Sequence, residues 1–273
     1  CIAGTYKEDT GSGSCVPCVA NTYSDTVGAT SSDTCSGCPP NTRSESGSDE
    51  RNDCTCTRGH TGPDGSACSA CAPGEYKESY GDADCSQCKP DTYSSTPAAT
   101  SEDTCDTCAA HTESTEGSQE NADCICEAGW YGPDGGPCEY CREDYWCMGG
   151  DEYACETRSS SDAGSNEIED CTCNPGAVGP NGGPCKPCTE DDYCEGGTDS
   201  KECPEFSSAP PGSSSLTDCS CNPGYKGPDG GPCTECESGD VCTGGDAPAQ
   251  KCPQYSTSAS GSDEMSDCKC KPG

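Results

Sequence analysis

Large apolar side chains are scarce in this sequence. Its 273 residues include one Phe, two Trp and two Met, and hydrophobic residues reach 29% only when 33 cysteines are counted among them. A conventional core is excluded, because burial of many large side chains is what offsets the ordering entropy of a folded chain. Basic residues are also few. Fourteen Lys and Arg face 49 Asp and Glu, for a formal charge of −35, which argues against nucleic-acid and anionic-membrane partners. No run of 18 apolar residues and no signal-peptide pattern is present. There is no Asn-x-Ser/Thr acceptor, so N-glycosylation is not expected. Gly and Pro, 35 and 22 residues, disfavour long helices and continuous sheets. Without its cysteines the chain would read as disordered.

Thirty-three cysteines reverse that reading. Such density belongs to secreted modules that replace a core with disulfides. The stretch "CNPGYKGPDGGPC" (Cys221–Cys233) has near-copies at Cys126–Cys138 and Cys173–Cys185 and a looser one at Cys56–Cys68. Closing such a loop should contribute about 3 kcal/mol in the chain-entropy model. An oxidising compartment follows, so the expected location is extracellular, secreted or at the cell surface.

The repeat is regular. Cysteine, fifteen residues, cysteine, one residue, cysteine occurs at Cys38/Cys54/Cys56, Cys108/Cys124/Cys126, Cys155/Cys171/Cys173, Cys203/Cys219/Cys221 and Cys252/Cys268/Cys270. Each copy has a Gly-Ser pair beginning at Gly47, Gly117, Gly164, Gly212 or Gly261, and an Asp before its second cysteine: Asp53, Asp123, Asp170, Asp218 or Asp267. The glycine predicts a turn with positive φ and the Asp a local side-chain-to-backbone hydrogen bond. Two module types precede this tail. Long ones have a period of 70, and short ones, with acidic opening loops, begin at Cys141, Cys188 and Cys236. The expected modules are 1–67 and 68–137 (long), then 138–184, 185–232 and 233–273 (short), the first and last incomplete. On this reading Cys270 would pair with a cysteine about nine residues beyond Gly273.

The segment "CKPDTYSSTPAATSEDTCDTCAAHTESTEGSQENADCICEAGWYGPDGGPC" (Cys88–Cys138) resembles the EGF-like cysteine-rich module of ephrin receptors. The shared features are C-x-P-x-x-Y, C-x-x-C and G-S…C-x-C followed by Gly-aromatic. The short modules resemble EGF-like repeats with a long third-to-fourth spacing. The resemblance implies pairing of first to third, second to fourth and fifth to sixth cysteines. It gives Cys141–Cys155, Cys147–Cys171, Cys173–Cys185, Cys188–Cys203, Cys194–Cys219, Cys221–Cys233, Cys236–Cys252 and Cys242–Cys268. In the long modules it gives Cys18–Cys38, Cys35–Cys54, Cys56–Cys68, Cys88–Cys108, Cys105–Cys124 and Cys126–Cys138, with Cys1–Cys15 and Cys71–Cys85 as extra hairpins. A rival ladder joining sequence neighbours, such as Cys88–Cys105 and Cys108–Cys124, stays open. The fold class expected is small and disulfide-rich: tandem EGF-like modules of short β-hairpins, almost without helix, forming an elongated rod of about 30 Å per module.

Catalytic residues are not expected. The two histidines, His60 and His111, have no paired nucleophile, and His60 occupies the place of Trp130 and Tyr225 in sister loops. Cys-x-x-Cys spacing is accounted for by disulfides rather than zinc. Glu143, Asp144, Asp191, Asp192 and Asp240 are calcium candidates by oxygen chemistry, set against a solvated acidic surface, and no other cofactor is expected. Ser/Thr-rich loops offer O-glycan candidates at Ser94, Ser95, Thr96, Ser207, Ser208, Pro210, Pro211, Ser213, Ser214, Ser215, Ser256, Thr257 and Ser258, the prolines after hydroxylation.

These features favour an extracellular structural protein, a stiff repeat rod in a filament or coat whose partners are its own copies, related repeat chains and covalent glycans. In that it is similar to repeat proteins of protist surface fibres such as flagellar hairs (mastigonemes). The alternatives are a receptor or adhesion ectodomain, with Tyr145-Trp146 as its apolar candidate, and a calcium-dependent spacer.

Overall fold

The computed structural model describes residues 1–272. Among them there is no α-helix. The chain forms sixteen two-stranded antiparallel sheets and seven single-turn 3-10 segments. This is the small disulfide-rich repeat fold that the cysteine density requires.

Every hairpin follows one plan, smaller than the modules read from the sequence. A cysteine is followed by two residues, then by one with positive φ, then by the first strand. Cys18 leads to Asn21 (φ 69°) and the strand Thr22–Tyr23. Cys88 leads to Asp91 (φ 64°) and Thr92–Tyr93. Asn, Asp and Gly tolerate this left-handed position best. Phe206 and Tyr255 also take it, at φ 65° and 69°, so the repeat imposes the conformation even on bulky residues. In most hairpins the second cysteine immediately precedes the returning strand: Cys35 stands before Ser36–Gly37, which pairs with Thr22–Tyr23.

That return delivers the second cysteine to the first cysteine of its own hairpin, except in the Cys141, Cys188 and Cys236 hairpins, where the second cysteine lies on or just after the first strand. The bonds are Cys18–Cys35, Cys38–Cys54, Cys88–Cys105 and Cys108–Cys124 in the long modules. In the short ones they are Cys141–Cys147, Cys155–Cys171, Cys188–Cys194, Cys203–Cys219, Cys236–Cys242 and Cys252–Cys268. The remaining six are Cys1–Cys15, Cys56–Cys68, Cys71–Cys85, Cys126–Cys138, Cys173–Cys185 and Cys221–Cys233. The interlaced pairing carried over from the EGF resemblance is therefore corrected. Cys18–Cys38, Cys35–Cys54, Cys88–Cys108, Cys105–Cys124, Cys141–Cys155, Cys147–Cys171, Cys188–Cys203, Cys194–Cys219, Cys236–Cys252 and Cys242–Cys268 do not form, because each would join two different hairpins. The ladder of sequence neighbours is the one present. Cys270 is unpaired and exposed.

At most junctions two backbone hydrogen bonds at the positive-φ residue tie successive hairpins together, whereas the carbonyls of Asn41, His111, Arg158, Phe206 and Tyr255 accept from the residue after the next hairpin's first cysteine. Gly4 N–H donates to the Ser24 carbonyl (2.7 Å) and its own carbonyl accepts from Cys18 N–H (2.8 Å). Asn21 does the same with Ser44 and Cys38, and Asp191 with Ala209 and Cys203. The Gly-Ser glycines add a third tie. Gly47, Gly117, Gly164, Gly212 and Gly261, all at positive φ, donate to the carbonyls of Cys18, Cys88, Cys141, Cys188 and Cys236. Their own carbonyls lie against the glycine of a C-x-x-G segment two hairpins back. A Cβ on Gly129 would stand 2.7 Å from the Gly164 oxygen, and one on Gly224 2.6 Å from that of Gly261. The repeated glycines thus answer to a close backbone approach as well as to φ.

The aspartate before each tail cysteine closes a 3-10 turn. Asp53 accepts from the N–H groups of Asp49 and Glu50, Asp123 from Gln119 and Glu120, Asp170 from Asn166 and Glu167, and Asp218 from Ser214 and Ser215. Buried apolar residues among those described are cysteines with Ala29, Ala99, Ala177, Ala209, Tyr193 and Val241. The interior is sulfur and methyl groups with small hydroxyls such as Ser24, Ser44 and Ser94.

Two compact units are distinguished, Cys1–Glu127 with Gly132–Cys138, and Ala128–Tyr131 with Glu139 onward. Unit 1 carries most of the residues 1–137 and unit 2 most of those after them.

Candidate functional site

Hairpin length depends on loop spacing. In the first short module seven residues separate Cys147 from Cys155, and the pair Gly149-Gly150 falls at the tip, both at positive φ. Two-residue glycine loops of this kind keep antiparallel strands in register. Tyr145–Met148 and Asp151–Ala154 accordingly pair over four residues, against two in each of the other hairpins described. The sister loops have one and two extra residues between the corresponding cysteines, Cys194–Cys203 and Cys242–Cys252. Their strands stop at Asp192–Tyr193 and Asp240–Val241.

The long hairpin is the aromatic one. Trp146 stands opposite Tyr153 and the rings stack at 4.4 Å. Met148, 61% exposed, and Tyr153, 42% exposed, share that face with Asp151, which accepts from the Tyr153 hydroxyl at 3.2 Å. Strand alternation places Tyr145, Cys147 and Glu152 on the opposite face. There Arg142 lies 4.3 Å from the Tyr145 ring centroid and donates to both Glu152 oxygens at 2.5 Å. Alongside, Trp130 meets Tyr140 edge-on at 5.1 Å, and the Tyr131 hydroxyl donates to Glu139 at 2.8 Å. Tyr131 makes a backbone bridge with Gly150 at the hairpin tip. That bond to Glu139 raises the Tyr131 pKa, and the Asp151 charge raises that of Tyr153, so both phenols stay neutral at physiological pH.

The other predicted positions are scattered. Asp144 and Asp191 occupy positive-φ backbone positions, and Glu143 precedes Asp144 in the same loop. Asp192 accepts from the Thr189 hydroxyl, and Asp240 is buried and paired with Lys251 at 2.9 Å. These five acids lie in three different hairpins, and among the described residues no group of three metal-ligating side chains gathers. His60 sits in the strand His60–Thr61 with Nδ1 beside Thr57 and the Arg58 carbonyl, and His111 lies 3.8 Å from Glu127. An open concavity in unit 1 is lined by Pro73, Thr115, Gln119, Glu120, Asp123 and Ile125. Its Asp123 carboxylate is already held by backbone N–H groups.

Three glycan candidates need correction. Ser94, Ser213 and Ser258 are buried, the Ser213 hydroxyl donating to the Pro210 carbonyl at 2.7 Å and that of Ser258 to Asp240 at 2.6 Å. A glycosyltransferase cannot reach them in the folded chain. Ser95, Thr96, Ser208, Pro210 and Pro211 are exposed, and Ser207, Ser214, Ser215, Ser256 and Thr257 half-buried.

The Tyr145–Met148 stretch is visible in sequence as an aromatic departure from its sisters. The length of its hairpin, the Trp146–Tyr153 stack and the part played by Tyr153 are not. The seven-residue spacing around Gly149-Gly150 is the signal that points to them.

No curated protein matches the chain. Residues 1–35, which hold the Cys1–Cys15 and Cys18–Cys35 hairpins, match the family model described as tyrosine-protein kinase ephrin type A/B receptor-like. Cys71, Cys85, Cys88 and Cys105 repeat that cysteine spacing. With sixteen disulfides in tandem, the chain is a cysteine-rich repeat protein that is similar, over residues 1–35, to the ephrin-receptor-like module, and its disulfide density points to an extracellular or cell-surface location.

Proposed function

We propose that the chain is a structural segment of an extracellular filament or coat, a stiff rod assembled with its own copies or related repeat chains. The observation that carries this reading is uniformity. Successive hairpins are closed by their own disulfides and joined to the next by backbone hydrogen bonds at the positive-φ residue, in one of two patterns, so bending a junction costs hydrogen bonds rather than loop entropy alone. A surface of charge −35 favours lateral packing only when screened by extracellular cations or covered by glycan. O-glycans on exposed Ser95, Thr96, Ser208, Pro210 and Pro211 would supply such a cover. Electron microscopy of native material, with small-angle scattering of the isolated chain, tests the reading. Filaments and a rod-like scattering profile support it, whereas a flexible coil or a monomer outside any assembly overturns it.

The exposed aromatic hairpin at Tyr145–Met148 favours a second reading, in which one module recognises a partner. The sister Cys188 and Cys236 hairpins carry no such stack within themselves, the Phe206–Tyr225 stack at 4.4 Å lying between two hairpins, and a uniform spacer has no need of one. Loss of surface attachment on Trp146→Ala, with unchanged melting, supports this reading, and unchanged attachment removes it.

A further inference from the structure

We propose that the outer face of the Tyr145–Met148 hairpin binds a lysine- or arginine-bearing segment of another protein, an inference that rests on the recognition reading above. The next repeat shows one arrangement that the fold accommodates at this spot. There the ring is Tyr193, and the residue opposite it on the returning strand is Lys201, whose ammonium lies 5.8 Å from the ring centroid and 2.6 Å from Glu195. Tyr193 is buried beneath that arrangement. In the Cys141 hairpin the residue opposite the ring is Tyr153 instead. Where the Cys188 hairpin has a cation this one has a second aromatic, the Cys236 hairpin having Val241 opposite Gln250, and the Trp146–Tyr153 pair is left facing outward with Asp151 beside it. Among the described residues no Lys or Arg lies over either ring, although Arg142 occupies the opposite face, over Tyr145 and paired with Glu152. Ring plus carboxylate is therefore served by an internal cation in the neighbouring repeat and on the inner face of this one.

Charge selects the occupant. Residues 139–156 contain Glu139, Glu143, Asp144, Asp151, Glu152 and Glu156 against Arg142 alone. A second copy of the chain brings −35 and no basic run, so it is repelled from this face. A cation over an exposed ring with a carboxylate at hand gains both cation–π and ionic attraction.

The test uses the full chain carrying Trp130→Phe, so that Trp146 is the fluorescent reporter. The probes are a capped six-residue peptide alternating arginine and glycine, its citrulline counterpart of the same shape without charge, and a neutral cello-oligosaccharide, at 0.15 M salt. The expected result is saturable quenching by the arginine peptide and about tenfold weaker binding by the citrulline peptide. By calorimetry, Tyr153→Ala and Asp151→Asn should each weaken the arginine peptide several-fold, Tyr153→Phe should retain it, and Asp191→Asn with Asp192→Asn should leave it within twofold. Equal loss in the Asp191/Asp192 variant would mean diffuse charge and overturn the proposal. Equal binding of the citrulline peptide, or saturation by the oligosaccharide alone, would overturn the cationic partner while leaving recognition standing. No response of Trp146 to any probe would overturn both.

Discussion

Trypsin should cut this chain into separate pieces without any reductant. Of its fourteen Lys and Arg, nine lie inside a single disulfide loop: Lys7, Arg43, Arg51, Arg58, Lys77, Lys89, Arg142, Arg158 and Lys226. Cleavage there leaves the ends tied, apart from loss of peptide 44–51. Lys89, Lys186 and Lys271 precede proline and resist. Lys269 trims only the end of the chain. Lys201 and Lys251 are different. They stand between the Cys188–Cys194 and Cys203–Cys219 loops and between Cys236–Cys242 and Cys252–Cys268, with side chains 51% and 85% exposed. No bond of the ladder crosses either site. The products are 1–201 with twelve disulfides, 202–251 with three and 252–269 with one. Scaled from 27.8 kDa over 273 residues, the middle piece weighs about 5 kDa.

The interlaced alternative makes the opposite forecast. Cys188–Cys203 and Cys194–Cys219 would straddle Lys201, and Cys236–Cys252 and Cys242–Cys268 would straddle Lys251, so the cut chain would hold together until reduced. The assay is non-reducing denaturing electrophoresis and mass spectrometry after digestion. Cys270 must be alkylated first, because its thiolate would otherwise exchange with neighbouring disulfides. A single non-reduced species after complete cleavage at Lys201 would refute the hairpin plan together with the ladder.

Four further outcomes follow from the same geometry. Replacing both cysteines of Cys221–Cys233 by Ser should cost about 3 kcal/mol and of Cys188–Cys194 about 2.4 kcal/mol by loop entropy, read from guanidinium midpoints. Gly224→Ala and Gly212→Ala both place a side chain at positive φ, costing about 1–2 kcal/mol. Only the former meets the Gly261 carbonyl at 2.6 Å, so it should melt lower, and equal losses would discount the close approach. The Ser214 and Ser215 N–H groups hold the Asp218 pKa below the ordinary carboxylate range. Its contribution is therefore complete above the unfolded-state pKa and lost as pH falls through the lower native value, and Asp218→Asn should flatten that acid limb of melting temperature against pH. EDTA should leave melting unchanged if the acidic loops hold no ion, and a drop restored by calcium would revive the spacer reading.

Much of the fold is legible in the sequence, and for local reasons. Gly47 and its equivalents mark a positive-φ turn, and Asp53, Asp123, Asp170 and Asp218 mark a capped one, because both signals act over a few residues. The plan of a single hairpin is less visible. Its diagnostic position, three residues after each first cysteine, is filled by Gly4, Asn21, His111, Arg158 and Phe206, which share no side-chain chemistry. What they share is a positive-φ backbone conformation; Gly4 and Asn21 make two backbone hydrogen bonds to the next hairpin, whereas the carbonyls of His111, Arg158 and Phe206 accept from Glu127, Asn174 and Asn222. The glycine contacts two hairpins away, such as Gly129 against Gly164, are likewise set by stacking that no single loop encodes. At the aromatic face, composition reveals Tyr145-Trp146, but the Tyr153 partner depends on register at the Gly149-Gly150 tip.

The ladder of near neighbours has a physical origin in how such a chain is oxidised. Spacing alone permits both schemes, and the EGF resemblance favours the interlaced one. Chain entropy favours the other. Cys147 meets Cys141 across a separation of 6 residues, whereas interlaced pairing with Cys171 spans 24. Two doublings of loop length cost about 1.2 kcal/mol, or roughly an eightfold preference for the near partner in the unfolded chain. Disulfides in the structure span no more than 17 residues. Each hairpin can therefore close on its own cysteines as it forms, and the next hairpin finds its backbone acceptors already in place. A chain with almost no apolar interior has little else to hold distant cysteines together while they wait, so local closure is the route its composition leaves open.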